Sequence, residues 1–470
     1  MKYPLKFKFF FKKVLYEYKK NFTLNLKLDN NALEVCKNDL ANNEKLKECK
    51  SVDSENGHLT ACLIDNKDDV NEEMCKTFLT NVAALVFSDY HLINNFVQDC
   101  EADIKKFECG RLEKDTQALP TEQGKTIECL SLKFQDLEDK CKKQIVRVTE
   151  LQSDDFHLDR VLYFACREDR ERFCERISSG NGRVYKCLMK QKFNELMSKE
   201  CQKELTRRQK IIVEDYKSDR SLVIACKSDI LKSGCRKELR ANASEPMQMA
   251  GIILCLESTI RDGNPVEANC KSELIEHRKM LLSDYQLNPN VVKYCQNEIN
   301  TVCNGLERNG KTLNCLMKKM IGEKKKETQD SAFNARCFQE LKALIKVADA
   351  GEDARVDEEL MDSCQNLIQG PCKGTQFGEG RMITCLIKFI GSNVINDECE
   401  ERLLEIQFFV ARDWKLTPKL YGACKNDAIK FCHAKQSWSD STTDVDNDPL
   451  VLPCLFHKLH EDDPNEKVRK

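Results

Sequence analysis

The stretch CREDRERFCERISSGNGRVYKCLMKQKFNELMSKEC, residues 166–201, holds four cysteines, and after a spacer of 24 residues the same order begins again at Cys226. A spacer of 24 residues also separates Cys75 from Cys100, Cys141 from Cys166, Cys270 from Cys295 and Cys399 from Cys424; between Cys337 and Cys364 it is 26. Self-similarity at a fixed period of about 60 residues marks a tandem array of one small module. The copies divide as residues 31–88, 89–154, 155–214, 215–283, 284–351, 352–412 and an incomplete 413–470, after a basic segment 1–30 that is expected to be disordered.

The seven copies align on more than cysteines. The first cysteine is followed by two residues, an acid, an apolar residue and soon a second cysteine: CEADIKKFEC from Cys100, CKSDILKSGC from Cys226, CQNEINTVC from Cys295, CQNLIQGPC from Cys364 and CKNDAIKFC from Cys424. The first copy, CKNDL from Cys36, takes a longer path to Cys49. The third cysteine is always followed by leucine, from Cys62-Leu63 to Cys454-Leu455, and usually preceded by glycine, as in GKTIECL and GRMITCL. The fourth opens a charged segment, such as CQKELTRRQKI from Cys201 or CEERLLEIQFF from Cys399.

The periodicity is helical. Leu162, Cys166, Phe173 and Cys174 fall on one stripe, and Leu205, Ile212 and Val213 stand among Lys, Arg and Glu residues, which predicts a one-sided helix. Strand alternation is absent. Polar clusters at Ser153-Asp154-Asp155, Glu214-Asp215, Ser283-Asp284 and Arg412-Asp413 interrupt the pattern and supply caps for the next helix, and Pro289 and Pro418 suit helix starts. The predicted fold is all-α: tandem, disulfide-stapled helical repeats of about 60 residues in an extended array, with about three short helices each.

Twenty-seven cysteines in 470 residues point to an oxidising compartment. Zinc is disfavoured, because no C-x2-C pair occurs and seven histidines cannot serve every module. Modules this small bury little core, so each cross-link, worth about 2–4 kcal/mol, matters. Basic and acidic residues balance at 75 against 77 and are mixed along every repeat, which argues against a nucleic-acid partner.

Cysteines eight or nine apart on one helix lie about 12 Å apart along its axis and cannot bond each other. An antiparallel hairpin favours a nested scheme, second with third and first with fourth. It pairs Cys109 with Cys129 inside Cys100–Cys141, Cys174 with Cys187 inside Cys166–Cys201, and Cys235 with Cys255 inside Cys226–Cys270. It pairs Cys303 with Cys315 inside Cys295–Cys337, and Cys372 with Cys385 inside Cys364–Cys399. Pairing between neighbouring repeats is the alternative. The seventh copy has Cys432 and Cys454 but no fourth cysteine, so the nested scheme leaves Cys424 unpaired and the chain reads as cut inside a repeat.

Residues 1–20 carry seven lysines and no apolar run long enough for a signal peptide, and no stretch reaches the length of a membrane span. The cysteines nevertheless demand the secretory route, so the true start is expected upstream or the segment is a poor gene-model junction.

The C-x2-[DE]-[apolar] opening, the glycine before Cys-Leu and the 24-residue spacer together resemble the cysteine-rich repeats of the Golgi apparatus protein 1 family, also called cysteine-rich fibroblast growth factor receptors and E-selectin ligands. The resemblance covers roughly residues 31–460. It implies a Golgi membrane glycoprotein with a long lumenal array that binds growth factors or other secretory cargo. This chain differs in having fewer repeats, no clear signal and no span, so membrane attachment would come only through a segment absent from it.

Candidate sites weigh little against that frame. The acid three residues after the first cysteine (Asp39, Asp103, Asp169, Asp229, Glu298 and Asp427, with Leu367 the exception) reads as a helix-surface charge or a cap, since one acid per module cannot satisfy calcium. Asp444, Asp446 and Asp448 imitate an EF-hand start without its glycine and glutamate, and His457 with His460 lack a third ligand. GTQFGEG from Gly374 lies in a loop between cysteines, and the lysines after Gly322 read as a solvated insertion. Of two N-x-[ST] sequons, at Asn21 and Asn242, Asn242 is the expected glycosylation site. No catalytic motif emerges. No cofactor, metal or catalytic residue is expected, and the reading is a non-enzymatic lumenal or extracellular binding protein. The alternative is a secreted helical lipid-binding protein or extracellular scaffold; an enzyme would need one deviant repeat with a polar pocket.

Overall fold

Each repeat is a set of short helices whose ends are written in the sequence. In the third repeat Asp159 caps Arg160–Cys174 by accepting from the Leu162 amide, and Ser198 caps Lys199–Glu214 by accepting from the Cys201 amide. Between them, Gly182 stands in the left-handed region at φ 69° and opens Arg183–Lys190, the helix of the third cysteine. The computed structural model describes residues 14, 18, 26–50, 58–86, 90–93, 95–110, 124–235, 248–306, 310–325, 334–411, 413–434 and 451–459. Among them every regular element is an α- or 3-10 helix and no strand occurs. The chain is thus all-α with tandem disulfide-stapled repeats.

The fourth-cysteine helix ends in a recurring joint. Asp215, Asp284, Asp353 and Asp413 each sit in extended backbone and accept from the amide two residues on, opening a 3-10 turn. That turn delivers the chain to the next first-cysteine helix. Pro289 and Pro418 occupy first positions of Pro289–Tyr294 and Pro418–Cys432, where a missing amide costs nothing.

The loop glycines dock on this joint. The Gly182 amide donates to Asp154 O at 3.0 Å, Gly310 to Ser283 O at 2.7 Å and Gly380 to Glu352 O at 2.9 Å. A Cβ on Gly310 would lie 3.0 Å from Leu282 O. Glycine is required there both for its positive φ and for this approach.

Contacts divide the chain into two units, Met1–Ser221 and Leu222–Lys470. In the first, one core runs from Ala32 to Leu158 and a second gathers Phe156, Leu162, Tyr185, Leu188 and Leu205. The helix Leu26–Val35 begins inside the basic segment, where buried Asp29 accepts from the amide and hydroxyl of Thr60. In the second unit, one core surrounds Leu360, Leu386 and Leu403, and another packs Trp414, Tyr421 and Leu455 with Leu254 of the fourth repeat.

Thirteen disulfides bind these helices. First and fourth cysteines join as Cys36–Cys75, Cys100–Cys141, Cys166–Cys201, Cys226–Cys270, Cys295–Cys337 and Cys364–Cys399. Second and third join as Cys49–Cys62, Cys109–Cys129, Cys174–Cys187, Cys235–Cys255, Cys303–Cys315, Cys372–Cys385 and Cys432–Cys454. Cys424 is a free, half-buried thiol. No described helix is long and apolar enough to cross a membrane.

Candidate functional site

Of the two readings of the recurring acid, surface charge or helix cap, the cap fits Asp39, Asp103, Asp169, Asp229 and Glu298, all of them buried, while Asp427 of the incomplete seventh copy is half-buried. Asp39 accepts from the amides of Asn71 and Glu72 at 2.8 and 3.0 Å. Asp103 accepts from the Glu138 amide at 3.0 Å, Asp229 from Glu267 at 3.3 Å and Glu298 from Asn334 at 2.9 Å. Asp169 accepts from the Ser198 amide at 3.2 Å and its hydroxyl at 2.5 Å. In every case a donating residue stands three before the fourth cysteine, at the start of its helix, and for Asp39 the preceding Asn71 donates as well. The acid therefore supplies negative charge at a helix N-terminus and satisfies an amide that would otherwise be orphaned. In the sixth repeat Leu367 is buried apolar instead, and Asn396 compensates by donating to Ser363 O at 3.0 Å and accepting from the Cys399 amide at 2.8 Å.

The charged fourth-cysteine helices are not one-sided either. Lys199–Glu214 buries Glu204, Arg207 and Arg208 together with Leu205, Ile212 and Val213. Arg207 forks onto Asp159 (2.8 Å) and Glu204 (2.7 Å), and Arg208 donates to the carbonyls of Thr149 and Ser218 while its guanidinium lies over the Tyr185 ring at 4.4 Å. Burial opposes ionisation of Asp159, but Arg207 and Arg208 hold its carboxyl below the ordinary range. The sixth repeat builds the same network with the residues exchanged: Arg402 forks onto Asp357 (2.5 Å) and Glu405 (2.5 Å), with Lys318 3.8 Å from Glu405. In both, the capping aspartate seven residues before the first cysteine is held by an arginine of the partner helix. One-letter periodicity carried no sign of this, because a buried ion pair and a solvated one use the same residues.

A third network joins the fourth repeat to the junction between the fifth and sixth. Glu257 meets Arg278 at 2.6 Å and Arg261 at 3.1 Å, and Arg261 reaches Asp349 at 2.5 Å and the Lys415 carbonyl at 3.0 Å. Nearby, an apolar-walled cleft is lined by Met317, Ile345, Ile406, Phe409 and Val410, with Arg402 and Asp349 among its polar residues.

On the outside, Phe164 is 50% exposed and carries the Arg160 guanidinium at 4.8 Å from its ring. Tyr163 and His157 extend this patch, their rings 5.3 Å apart. Aromatic and arginine side chains of this kind concentrate binding energy at protein interfaces.

Among the described residues no group of three or more His, Cys, Asp or Glu is placed to hold a metal ion. His457 lies on Val451–Leu459, while His460, Asn21, Asn242 and the aspartates at 444, 446 and 448 fall outside the described residues. GTQFGEG forms the loop into Arg381–Ile387, with Gly378 and Gly380 at positive φ.

The family profile described as "Cysteine rich repeat" matches residues 12–71, 73–138, 139–196, 199–264, 268–324, 335–393 and 397–463. These segments are offset from the disulfide-closed modules, so that 139–196 holds Cys141 with Cys166, Cys174 and Cys187. Golgi apparatus protein 1 of Rattus norvegicus and of Homo sapiens are each 40% identical over 460 residues, 95% of this chain and 38% of theirs. The Golgi apparatus protein 1 homolog of Caenorhabditis elegans is 34% identical over 477 residues, 96% of this chain and 41% of its own. The chain thus spans about two-fifths of the length of these relatives. With seven profile matches and such relatives, the chain belongs to the cysteine-rich repeat family of Golgi apparatus protein 1, a cysteine-rich family of the Golgi and secretory pathway.

Proposed function

We propose that this chain is a non-enzymatic lumenal binding protein that holds protein ligands, growth factors or secretory cargo, on the outer faces of its repeats. The observation that carries this reading is the division of labour among side chains. All the cysteines but Cys424 and five of the recurring acids are used in building modules, whereas Phe164, half exposed and outside the core around Leu162 and Leu188, carries the Arg160 guanidinium over its ring. The family profile's name, cysteine-rich FGFR, suggests a fibroblast growth factor as the first ligand to test. Nested pairing makes the disulfides structural, and Asn242 is the glycan acceptor of this reading.

The test is biosensor binding of a fibroblast growth factor to the oxidised, full chain. Saturable binding that weakens about tenfold on Phe164→Ala, and disappears when the disulfides are reduced, supports the proposal. No saturable binding up to on the order of 10 μM overturns the growth-factor reading.

A further inference from the structure

Five charged side chains meet out of water in the second unit. Glu257 and Arg261 come from Gln248–Arg261, Arg278 from Ala268–Ser283, and Asp349 and Glu352 from the linker that follows Ala335–Ala348. Their side chains are 5, 4, 3, 0 and 16% exposed in that order. Glu257 takes a guanidinium on each oxygen, from Arg278 and Arg261. Asp349 Oδ2 accepts from Arg261, but its buried Oδ1 has no donor at all. Glu352 stands 3.8 Å from the same Arg261 and accepts from the Glu379 amide.

Three carboxylates therefore share two guanidiniums in a buried site, and only Glu257 has one on each oxygen. On its other side Arg261 donates to the Lys415 carbonyl and lies 5.9 Å from the Tyr421 ring. His277, beside Arg278, Lys346, three residues before Asp349, and Lys415 are also buried, and the foremost charges acting on Asp349 are those of Arg261, Arg278 and Glu257. We propose that Asp349 and Glu352 form a proton-binding site that takes up one proton between neutral and mildly acidic pH and thereby tightens the fourth repeat against the linker of repeats five and six and the start of repeat seven.

Burial, with Glu257 adding its charge, lifts Asp349 to about 6 and Glu352 to about 7, while both guanidiniums keep Glu257 below the ordinary range despite its burial. The charge of Asp349 in turn helps to raise Glu352, and both acids feel the same Arg261. Raised acids bind more protons folded than unfolded, so stability grows as pH falls through the folded values and is lost as pH rises through them. A protein of the secretory pathway passes from near-neutral to more acidic lumen, so the site strengthens in the direction of transport. This device is independent of whether the chain binds growth factors.

The test is hydrogen exchange of the full oxidised chain at pH 7.5 and 5.5, corrected for intrinsic rates. Protection of residues 254–261 and 414–421 is expected to rise roughly tenfold at the lower pH. In the Asp349→Asn/Glu352→Gln variant, which mimics the protonated site, the two pH values should give equal, high protection. A pH response unchanged in the variant, or protection that falls on acidification, overturns the proposal. Should that variant fail to fold, infrared difference spectra of the unaltered protein decide: a protonated buried carboxyl band must appear between pH 7.5 and 5.5, and its absence overturns the proposal equally.

Discussion

Asp169, three residues after Cys166, accepts hydrogen bonds from Ser198, three residues before Cys201, the cysteine to which Cys166 is bonded. One covalent and one electrostatic tie thus clamp the same two helices within a turn of each other. The acid does across helices what a capping-box glutamate does within one.

Removing that carboxylate should be costly. Asp169→Ala leaves a buried amide and hydroxyl without an acceptor, and we expect a loss of about 1–3 kcal/mol. Asp169→Asn, which keeps an acceptor oxygen, should lose less. Urea unfolding of both variants checks this, and an Ala variant as stable as the parent would refute the clamp.

The exchanged order of the two arginine networks makes a sharper prediction. Arg402→Met strips both Asp357 and Glu405 of their shared partner, and buried charges left alone cost about 3–5 kcal/mol. The double exchange Arg402→Glu/Glu405→Arg writes the order of Glu204 and Arg207 into the sixth repeat. It should unfold at a higher urea concentration than either of its single changes. A double variant as weak as the worse single would show that the two networks are not interchangeable.

Two glycines share φ +78° and differ in surroundings: nothing lies near a Cβ on Gly305, whereas one on Gly310 presses on Leu282 O. Gly305→Ala should therefore cost only the left-handed conformation, about 1–2 kcal/mol. Gly310→Ala should cost more, because the carbonyl it approaches, in the last turn of Ala268–Ser283, cannot move away without breaking the joint. Thermal unfolding of the pair separates the two contributions; equal losses would remove the docking role of Gly310.

Cys424 should be the single alkylatable thiol of the native chain. Burial, with Asp427 adding negative charge, pushes its thiol above the ordinary range. Reaction with a maleimide should thus be slow at neutral pH and accelerate as pH rises, since the thiolate is the nucleophile. Intact mass should show one adduct before reduction. Several adducts would mean that the disulfides described here do not all form.

By itself the sequence determined a helical, cysteine-stapled tandem repeat of the secretory pathway. Spacer length, the Cys-Leu mark and the cap residues are local signals, and helix periodicity needs no partner to be read. The fate of the charges was decided only by tertiary structure. Asp169 and Arg207 look the same in sequence whether they face water or a neighbouring helix, because burial of a charge depends on what the fold brings opposite it. Asp349, Glu352 and Arg261 meet across about ninety residues of chain, a proximity that no periodicity announces.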